Sequence, residues 1–387
     1  MKIAEVTATF PPYQAGSGNV AYHNARLLSE RGHEVTVFTQ RPRVPFPDDR
    51  KPFETRYLTP LLTVGNAPFL PGLGAALRGF DLIHLHYPFI FGTEMTLVAA
   101  RRYGIPLLLT YHNRLWAESG LKAWLFSGYN AVIEPWALRR AARVIAVSRD
   151  HLKALFPGLH AVEVPNGVST DLFKPYDAAA CRRVLNLPPD QFLGLFVGAL
   201  DAAHPFKNLS ALLRAWTRLS HGLLLVVGDG PLRPAFEREA QKLGLRDRVR
   251  FEGGADHQRL PWYYSAADVT VLPSRNTESF GMVLVESMAC QTPVVATNLP
   301  GVRQVVQHRE TGLLIPVDDE ALFQALAWMA EHPRERARMG RQGRQWVERH
   351  YAWPIVGQKL EEACLEALAA SVHTGRRLAP KGRQAPP

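Results

Sequence analysis

The chain alternates between two hydrophobic rhythms. Short apolar runs rich in Val, Ile, Leu and Phe recur along it. Between them lie longer stretches in which apolar positions return every three or four residues. Lys2–Thr7, Glu34–Thr39, Leu82–His86, Pro106–Tyr111 and Arg143–Val147 read as strands. Helices are expected at Asn19–Arg31, about Thr93–Arg102 and about Trp124–Ala142, and Ser148 follows the last strand as a helix N-cap. This is the βα alternation of a parallel sheet covered on both faces.

The rhythm breaks at Val164-Pro165-Asn166-Gly167-Val168 and stays irregular to Pro189. It restarts with strands at Phe192–Val197, Leu223–Val227, Val249–Phe251, Val269–Leu272 and Pro293–Ala296, and helices at Leu209–Leu219 and Pro231–Leu243. Helices near Pro333–His350 and Trp353–Ser371 come last. The fold class is therefore read as α/β, two Rossmann-like domains joined near residues 165–190. Ligands of open parallel sheets bind at strand carboxyl ends, so the loops that matter are expected to line a cleft between the domains.

A length of 387 residues exceeds one ordinary core and agrees with two domains. Cys181, Cys290 and Cys364 lie far apart, with no CxxC and no histidines clustered along the chain, which argues for a reducing compartment and against a zinc site. The chain opens directly on a strand at Lys2, so no signal peptide is expected, and no apolar run is long enough to span a bilayer. These features predict a cytoplasmic protein. Part of the net charge of +10 sits in residues 372–387, expected to be a disordered basic tail.

The chemistry concentrates in loops. Asn276-Thr277-Glu278-Ser279-Phe280-Gly281-Met282-Val283-Leu284-Val285-Glu286 places one carboxylate on a loop and a second two turns into an apolar helix. A helix starting near Gly281 turns unpaired N–H groups and a positive dipole end toward that loop, which suits an anion. Glu286 could accept from two vicinal ribose hydroxyls, with Glu278 on the other side of the phosphates. That layout fits a nucleotide sugar; a capped helix with two surface glutamates is the plainer alternative.

Gln14-Ala15-Gly16-Ser17-Gly18-Asn19-Val20-Ala21 matches the dinucleotide fingerprint in letters only. It begins too far after the strand, and the second strand ends Phe38-Thr39-Gln40 without a carboxylate. What remains is small residues at a helix start, where N–H groups can approach an anion or simply form a tight turn. In Gly198-Ala199-Leu200-Asp201-Ala202-Ala203-His204-Pro205-Phe206-Lys207-Asn208, a lysine stands at a helix mouth, where the dipole disfavours it unless an anion is present, and Asn208 reads as the N-cap. Asp229 in Gly228-Asp229-Gly230 reads as turn chemistry. His112 ends the Leu109-Thr110-Tyr111 strand and points to a ligand loop, whereas His84 and His86 alternate on one strand with no chemistry assigned.

These residues together resemble the retaining glycosyltransferases of family four, the glycosyl transferases group 1, which have the GT-B fold. The resemblance runs to about residue 370. It rests on Gly16–Gly18, Tyr111-His112, Ala146-Val147-Ser148, Val164 to Val168 and on to Phe173, Lys207, Gly228-Asp229-Gly230, the Glu278…Glu286 pair and Thr311-Gly312-Leu313-Leu314. It implies two Rossmann-like domains with a deep interdomain cleft. An acceptor domain would cover 1–170, and a nucleotide-sugar domain 171–352. The 353–371 helix would pack back on the first domain.

It implies roles as well. Lys207 would neutralise the diphosphate, Glu286 would hold the donor ribose, and Glu278 with the N–H groups of Ser279, Phe280 and Gly281 would meet the sugar or phosphate. Gly16, with Ser17 and Gly18, would approach the diphosphate, and His112 the transferred sugar. Many members carry arginine where this chain has Ala199; His204 or Arg275 would supply the missing charge.

The expected reaction moves a hexose from a UDP- or GDP-linked donor to a glycan or lipid-linked acceptor hydroxyl in cell-envelope synthesis, with same-face attack favoured by the resemblance. No Asp-x-Asp pair occurs, so no metal or other cofactor is expected beyond the nucleotide sugar as co-substrate. Arg101-Arg102, Lys122, Arg139-Arg140 and Arg143 interleave with Trp116, Trp124, Phe126 and Trp136, which suits peripheral contact with an anionic membrane or a solvated basic helix. No nucleic-acid motif accompanies the charge. A sugar-nucleotide epimerase, a phosphorylase and a non-catalytic nucleotide-sugar binder stay open.

Overall fold

The structure is a computed structural model that describes residues 1–11, 16–42, 51–64, 67–117, 119–201, 204–276 and 278–375. The chain divides into two compact units. The first takes in Met1–Leu152, Phe156–Val164 and the segment from Val356 onward; the second takes in Lys153–Leu155 and Pro165–Ile355.

The first unit holds β1 (Lys2–Val6), β2 (Glu34–Gln40), β3 (Glu54–Leu58), β4 (Leu62–Val64), β5 (Ala67–Phe69), β6 (Leu82–Tyr87), β7 (Leu107–Tyr111), β8 (Arg143–Ala146) and β9 (Val162–Glu163). Its main sheet has the order β3-β2-β1-β6-β7-β8-β9, and β4 and β5 form a separate antiparallel pair. Every described pairing in the main sheet is parallel. β6 and β7 are buried along their whole length, as expected of strands covered on both faces.

The second unit holds β10 (Leu193–Val197), β11 (Leu223–Val227), β12 (Val249–Gly253), β13 (Val269–Leu272), β14 (Val294–Thr297) and β15 (Gly312–Ile315). They form one parallel sheet in the order β12-β11-β10-β13-β14-β15. Its core is built around Trp216, fully buried and stacked on Phe192 with ring centroids 6.0 Å apart. Gly194 makes the room, since a Cβ there would lie 2.5 Å from the indole.

In both sheets the order of strand addition reverses once, between β1 and β6 and between β10 and β13. The loops that leave adjacent strands at such a point open apart and leave a crevice at the strands' carboxyl ends. In the second unit those loops are 198–208 and 273–281; in the first they follow Val6 and Tyr87.

The last helix, Trp353–Gly375, starts in the second unit, where the Trp353 ring lies over Gly167. From Val356 it belongs to the first. Leu360, Ala363, Cys364 and Ala367 are buried, Gly357 lies against Leu27, and Glu361 meets His33 Nε2 at 2.9 Å. This helix continues through Gly375, into the stretch expected to be a disordered tail; residues 376–387 lie outside the described residues.

Candidate functional site

In the second unit, the loop after β10 and the loop after β11 are locked together. Gly198 N donates to Val227 O, and Leu200 N to Asp229 O at 3.0 Å. Gly228 (φ 149°) and Gly230 (φ 154°) are obligatory here. A Cβ would fall 1.9 Å from the Gly198 carbonyl oxygen in one case and 2.3 Å from that of Leu200 in the other. The Asp229 carboxylate accepts from Gly230 N, as the turn reading has it.

Lys207 ends a short 3-10 turn, Pro205–Lys207, and its stem runs back over Gly198. A Cβ on Gly198 would lie 2.8 Å from Lys207 Cδ and 3.4 Å from Nζ. Asn208 is not a side-chain cap. It takes the left-handed conformation (φ 57°), and its Nδ2 donates to Pro273 O at 3.2 Å. Arg275 N donates to Phe206 O at 2.8 Å. The two loops at the reversal point are thus tied, and Arg275 comes next to Phe206 and Lys207. Ala202, Ala203 and Thr277 lie outside the described residues. His204 Nδ1 stands 2.8 Å from Asp201 Oδ1.

The helix Met282–Ala289 begins after Gly281, whose φ of 82° only glycine adopts without strain. Glu286 stands four residues beyond Met282. At 3.6 residues per turn that is just over one turn into the helix, not two, because no helical residue precedes Met282. Its side chain is buried, and Tyr264 Oη donates to Oε2 at 2.7 Å. Burial raises the Glu286 carboxyl above the ordinary 4.5, against the opposing pull of the Tyr264 hydrogen bond, His257 and Lys207. Lys207 is the weakest of these influences on Glu286.

Glu278 accepts weakly from Ser274 Oγ at 3.5 Å. Its loop rests on Gly301, where a Cβ would be 2.5 Å from Ser279 O and 2.9 Å from Glu278 O. Ser279 is half-buried, and Phe280 is buried with its ring edge-on to Tyr351. The supporting Gly301 carries no mark in the sequence beyond a Pro-Gly pair and was missed.

In the first unit, Gly16, Ser17 and Gly18 form the opening turn of the helix Gly16–Glu30, three residues earlier than the periodicity indicates. Gly18 is required by Thr9, whose carbonyl oxygen would be 2.9 Å from a Cβ, and Ser17 Oγ lies 3.3 Å from Thr9 Oγ1. A Cβ on Gly16 would meet nothing within 4 Å. Gln14 and Ala15 lie outside the described residues.

His112, just past β7, is buried and does not stand alone. His86 Nδ1 lies 2.8 Å from His112 Nε2, His86 Nε2 lies 2.6 Å from Glu5 Oε1, and His84 Nδ1 lies 2.9 Å from Glu5 Oε2. His84 Nε2 reaches Thr110 Oγ1 at 2.7 Å. Strand register makes the cluster: Glu5 pairs with His84, and His86 with Thr110. The histidines dispersed in the sequence are clustered in space. Glu5 was missed because one carboxylate in a strand leaves no signal until its partner 79 residues away is known.

The family described as Glycosyltransferase Family 4 matches residues 15–172, and that described as Glycosyl transferases group 1 matches residues 177–346. A D-inositol 3-phosphate glycosyltransferase of Thermobispora bispora is 32% identical, covering 93% of each chain. The chain belongs to the group 1, family 4 glycosyltransferases. A phosphatidyl-myo-inositol mannosyltransferase of Mycobacterium leprae is 32% identical over 77% of this chain and 78% of its own length.

Among solved structures, this glycosyltransferase is similar to the sucrose-phosphate synthase of Thermosynechococcus elongatus, with a TM-score of 0.82 and 27% identity over 95% of this chain and 99% of that one. The Anabaena protein Alr3699/HepE in complex with UDP-glucose has a TM-score of 0.77 at 21% identity, covering 94% and 98% of the two chains, and shows the shared GT-B fold. The group 1 match takes in every second-unit loop described above, and the family 4 match takes in Gly16–Gly18 and His112. Among the described residues, no helix is long and apolar enough to cross a membrane.

Proposed function

We propose that this glycosyltransferase moves a hexose from a UDP- or GDP-linked donor to a hydroxyl of a glycolipid or cell-envelope precursor, with retention and without a metal ion. One observation carries the reading: Lys207 lies over Gly198 in the loop after β10, and Glu286 is buried just over one helical turn beyond the start at Met282, with Tyr264 on one carboxylate oxygen. A diphosphate meets a cation and a helix start there, and a ribose meets a carboxylate oxygen.

The difficult part of transfer is the charge that grows on the departing diphosphate. Lys207 and the N–H groups around Ser279, Phe280 and Gly281 would carry it. Arg275 suits the role left open at Ala199 better than His204, because Asp201 beside the imidazole offsets a positive charge there. Glu286 Oε1 would accept from the ribose, Glu278 would face the sugar or its phosphate, Gly16, Ser17 and Gly18 would approach the diphosphate, and His112 the transferred sugar. The absence of an Asp-x-Asp pair supports a metal-free reaction.

The named relatives act on inositol 3-phosphate and phosphatidyl-myo-inositol, so phosphorylated inositols, free and lipid-linked, are the acceptors to test first. Leu121, Trp124, Leu125 and Val132 are exposed on the helix Gly120–Arg140 beside Lys122, which supports peripheral contact with anionic lipid. The test is product formation from UDP-glucose, UDP-galactose and GDP-mannose with these acceptors, the anomeric configuration being read by NMR. Transfer with retention supports the proposal. Donor turnover with inversion, or no turnover with any pair, defeats it.

A further inference from the structure

We propose that Glu5 and His86 are positioning residues that hold His112 as its Nε2–H tautomer, so that this ring offers a bare Nδ1 as a hydrogen-bond acceptor. What this means for transfer rests on the sugar-facing role proposed for His112; the proton arrangement itself does not.

The argument is one of counting donors and acceptors. Glu5 is fully buried between two imidazoles, and an ionised carboxylate can only accept. His84 Nδ1 and His86 Nε2 must therefore carry the protons they share with it. A neutral imidazole carries one N–H, so His86 Nδ1 is bare and has to accept. The atom facing it at 2.8 Å is His112 Nε2, which must then be the donor. That leaves Nδ1 of His112 without a proton. On the other branch, His84 Nε2 is bare and accepts from the Thr110 hydroxyl at 2.7 Å. With both strand histidines neutral, one proton arrangement satisfies every bond from Thr110 to His112.

The alternative, an imidazolium at His86, would reverse the last link and give His112 an Nδ1–H. Burial opposes it: the His86 ring is held below its usual range by desolvation, against the pull of Glu5, and His112 is held well below. Burial likewise pushes the Glu5 carboxyl up, but the N–H groups that His84 and His86 turn toward it pull it down and keep it an acceptor. A metal is a second alternative, since the ligand atoms of Glu5, His84 and His86 lie within 4.8 Å of one another. The 2.6 and 2.9 Å contacts are those of shared protons. Tetrahedral ligands at about 2.0–2.1 Å from a zinc ion stand more than about 3 Å from each other.

The relay places an acceptor, not a donor, where a hydroxyl-rich substrate is proposed to bind. A sugar hydroxyl can donate to it, and the tautomer cannot drift while Glu5 stays ionised and His86 neutral.

The test uses the full chain with 15N-labelled histidine and long-range 15N–1H spectra. The rings are assigned from His84→Asn, His86→Phe and His112→Asn. The expected pattern is Nδ1–H at His84 and Nε2–H at His86 and His112, with His112 losing its fixed tautomer in His86→Phe. An Nδ1–H or doubly protonated His112 in the intact protein overturns the proposal. So does one zinc ion per chain that is lost in Glu5→Gln. Where a variant folds poorly, its ring is assigned instead in the wild-type protein by through-bond correlation, so the tautomers are still decided.

Consumption of UDP-glucose or GDP-mannose gives the second readout. The His86→Phe/His112→Asn double variant should be no slower than His112→Asn alone, because residues acting through one group are not additive. Additive losses count against the relay. A wild-type enzyme that consumes neither donor defeats the donor reading instead, and leaves the spectra to judge the tautomers.

Discussion

The Tyr264 hydroxyl donates to Glu286 Oε2 across 2.7 Å, with both side chains buried. The bond engages one carboxylate oxygen and partly offsets the cost of keeping a charge in a dry place. Under the proposed reading, Glu286→Ala loses about 1.5–3 kcal/mol of UDP or GDP binding, the scale of a charge-assisted hydrogen bond. Calorimetric titration checks it, and unchanged nucleotide affinity removes Glu286 from the ribose. Because burial lifts this carboxyl above 4.5, binding should fade on acidification at a higher pH than an ordinary glutamate gives. Tyr264→Phe should move that limb higher still.

Lys207 should appear in kcat more than in KM. A cation at the diphosphate stabilises growing charge more than the bound ground state. Lys207→Ala is expected to cost about 10²–10³ in rate, the effect of removing one strong electrostatic donor. Ala199→Arg should restore part of it. Near-normal kcat in Lys207→Ala would move the phosphate contact to Arg275, which the Arg275→Ala variant then tests.

Activity should survive exhaustive chelation. The proposed leaving-group stabilisation uses Lys207, Arg275 and backbone N–H groups. Turnover that stops in chelator and returns with Mg²⁺ or Mn²⁺ refutes the metal-free reading.

Gly301→Ala reaches the proposed site without touching a ligand. The new Cβ would collide with the Ser279 and Glu278 carbonyls, at a φ of 95° that strains alanine. The loop must shift by a fraction of an ångström or more, and a misplacement near 1 Å can cost about 10²-fold. The variant should remain folded, with kcat/KM down by about 10–10²-fold. Wild-type kinetics in a well-folded Gly301→Ala chain would show that the Glu278 loop is not positioned from beneath.

Stability should depend on pH through His86 and His112. Both are depressed by burial in the folded state, so below 6.5 the unfolded chain binds more protons than the folded one. Stability is therefore complete above 6.5 and falls as pH drops from there toward the folded-state values. Thermal unfolding across this window should show the midpoint declining with acid. His112→Asn should flatten the decline, and an unaltered slope would place the effect elsewhere.

The sheets were legible where strands are continuous apolar runs between turn residues: Leu223–Val227 and Val269–Leu272 match the expected limits at both ends. Ser148 accepts from His151 N, as its N-cap reading requires. The strand Gly312–Ile315 shows in the sequence only as part of the Thr311-Gly312-Leu313-Leu314 motif, because four residues beginning with a glycine carry little periodicity. The site was half-legible. Glu278, Glu286 and Lys207 stand on loops and helix starts, where local sequence speaks. Asn208 holds the N-cap position it was expected to, but in the left-handed conformation, which asparagine tolerates, and without a side-chain cap bond. The buried relay was illegible, since strand register, not neighbourhood in the chain, brings Glu5 to His84 and His86 to Thr110.

The helix Trp353–Gly375 has a consequence for how the protein is made. The first unit closes only with residues from Val356 onward, after the whole of Pro165–Ile355 has been synthesised. On the ribosome, the second unit is complete and able to fold while the first still lacks the wall formed by Leu360, Ala363, Cys364 and Ala367. The segment Met1–Leu152 is thus finished after the unit that follows it, and until Gly357 emerges Leu27 waits for its partner.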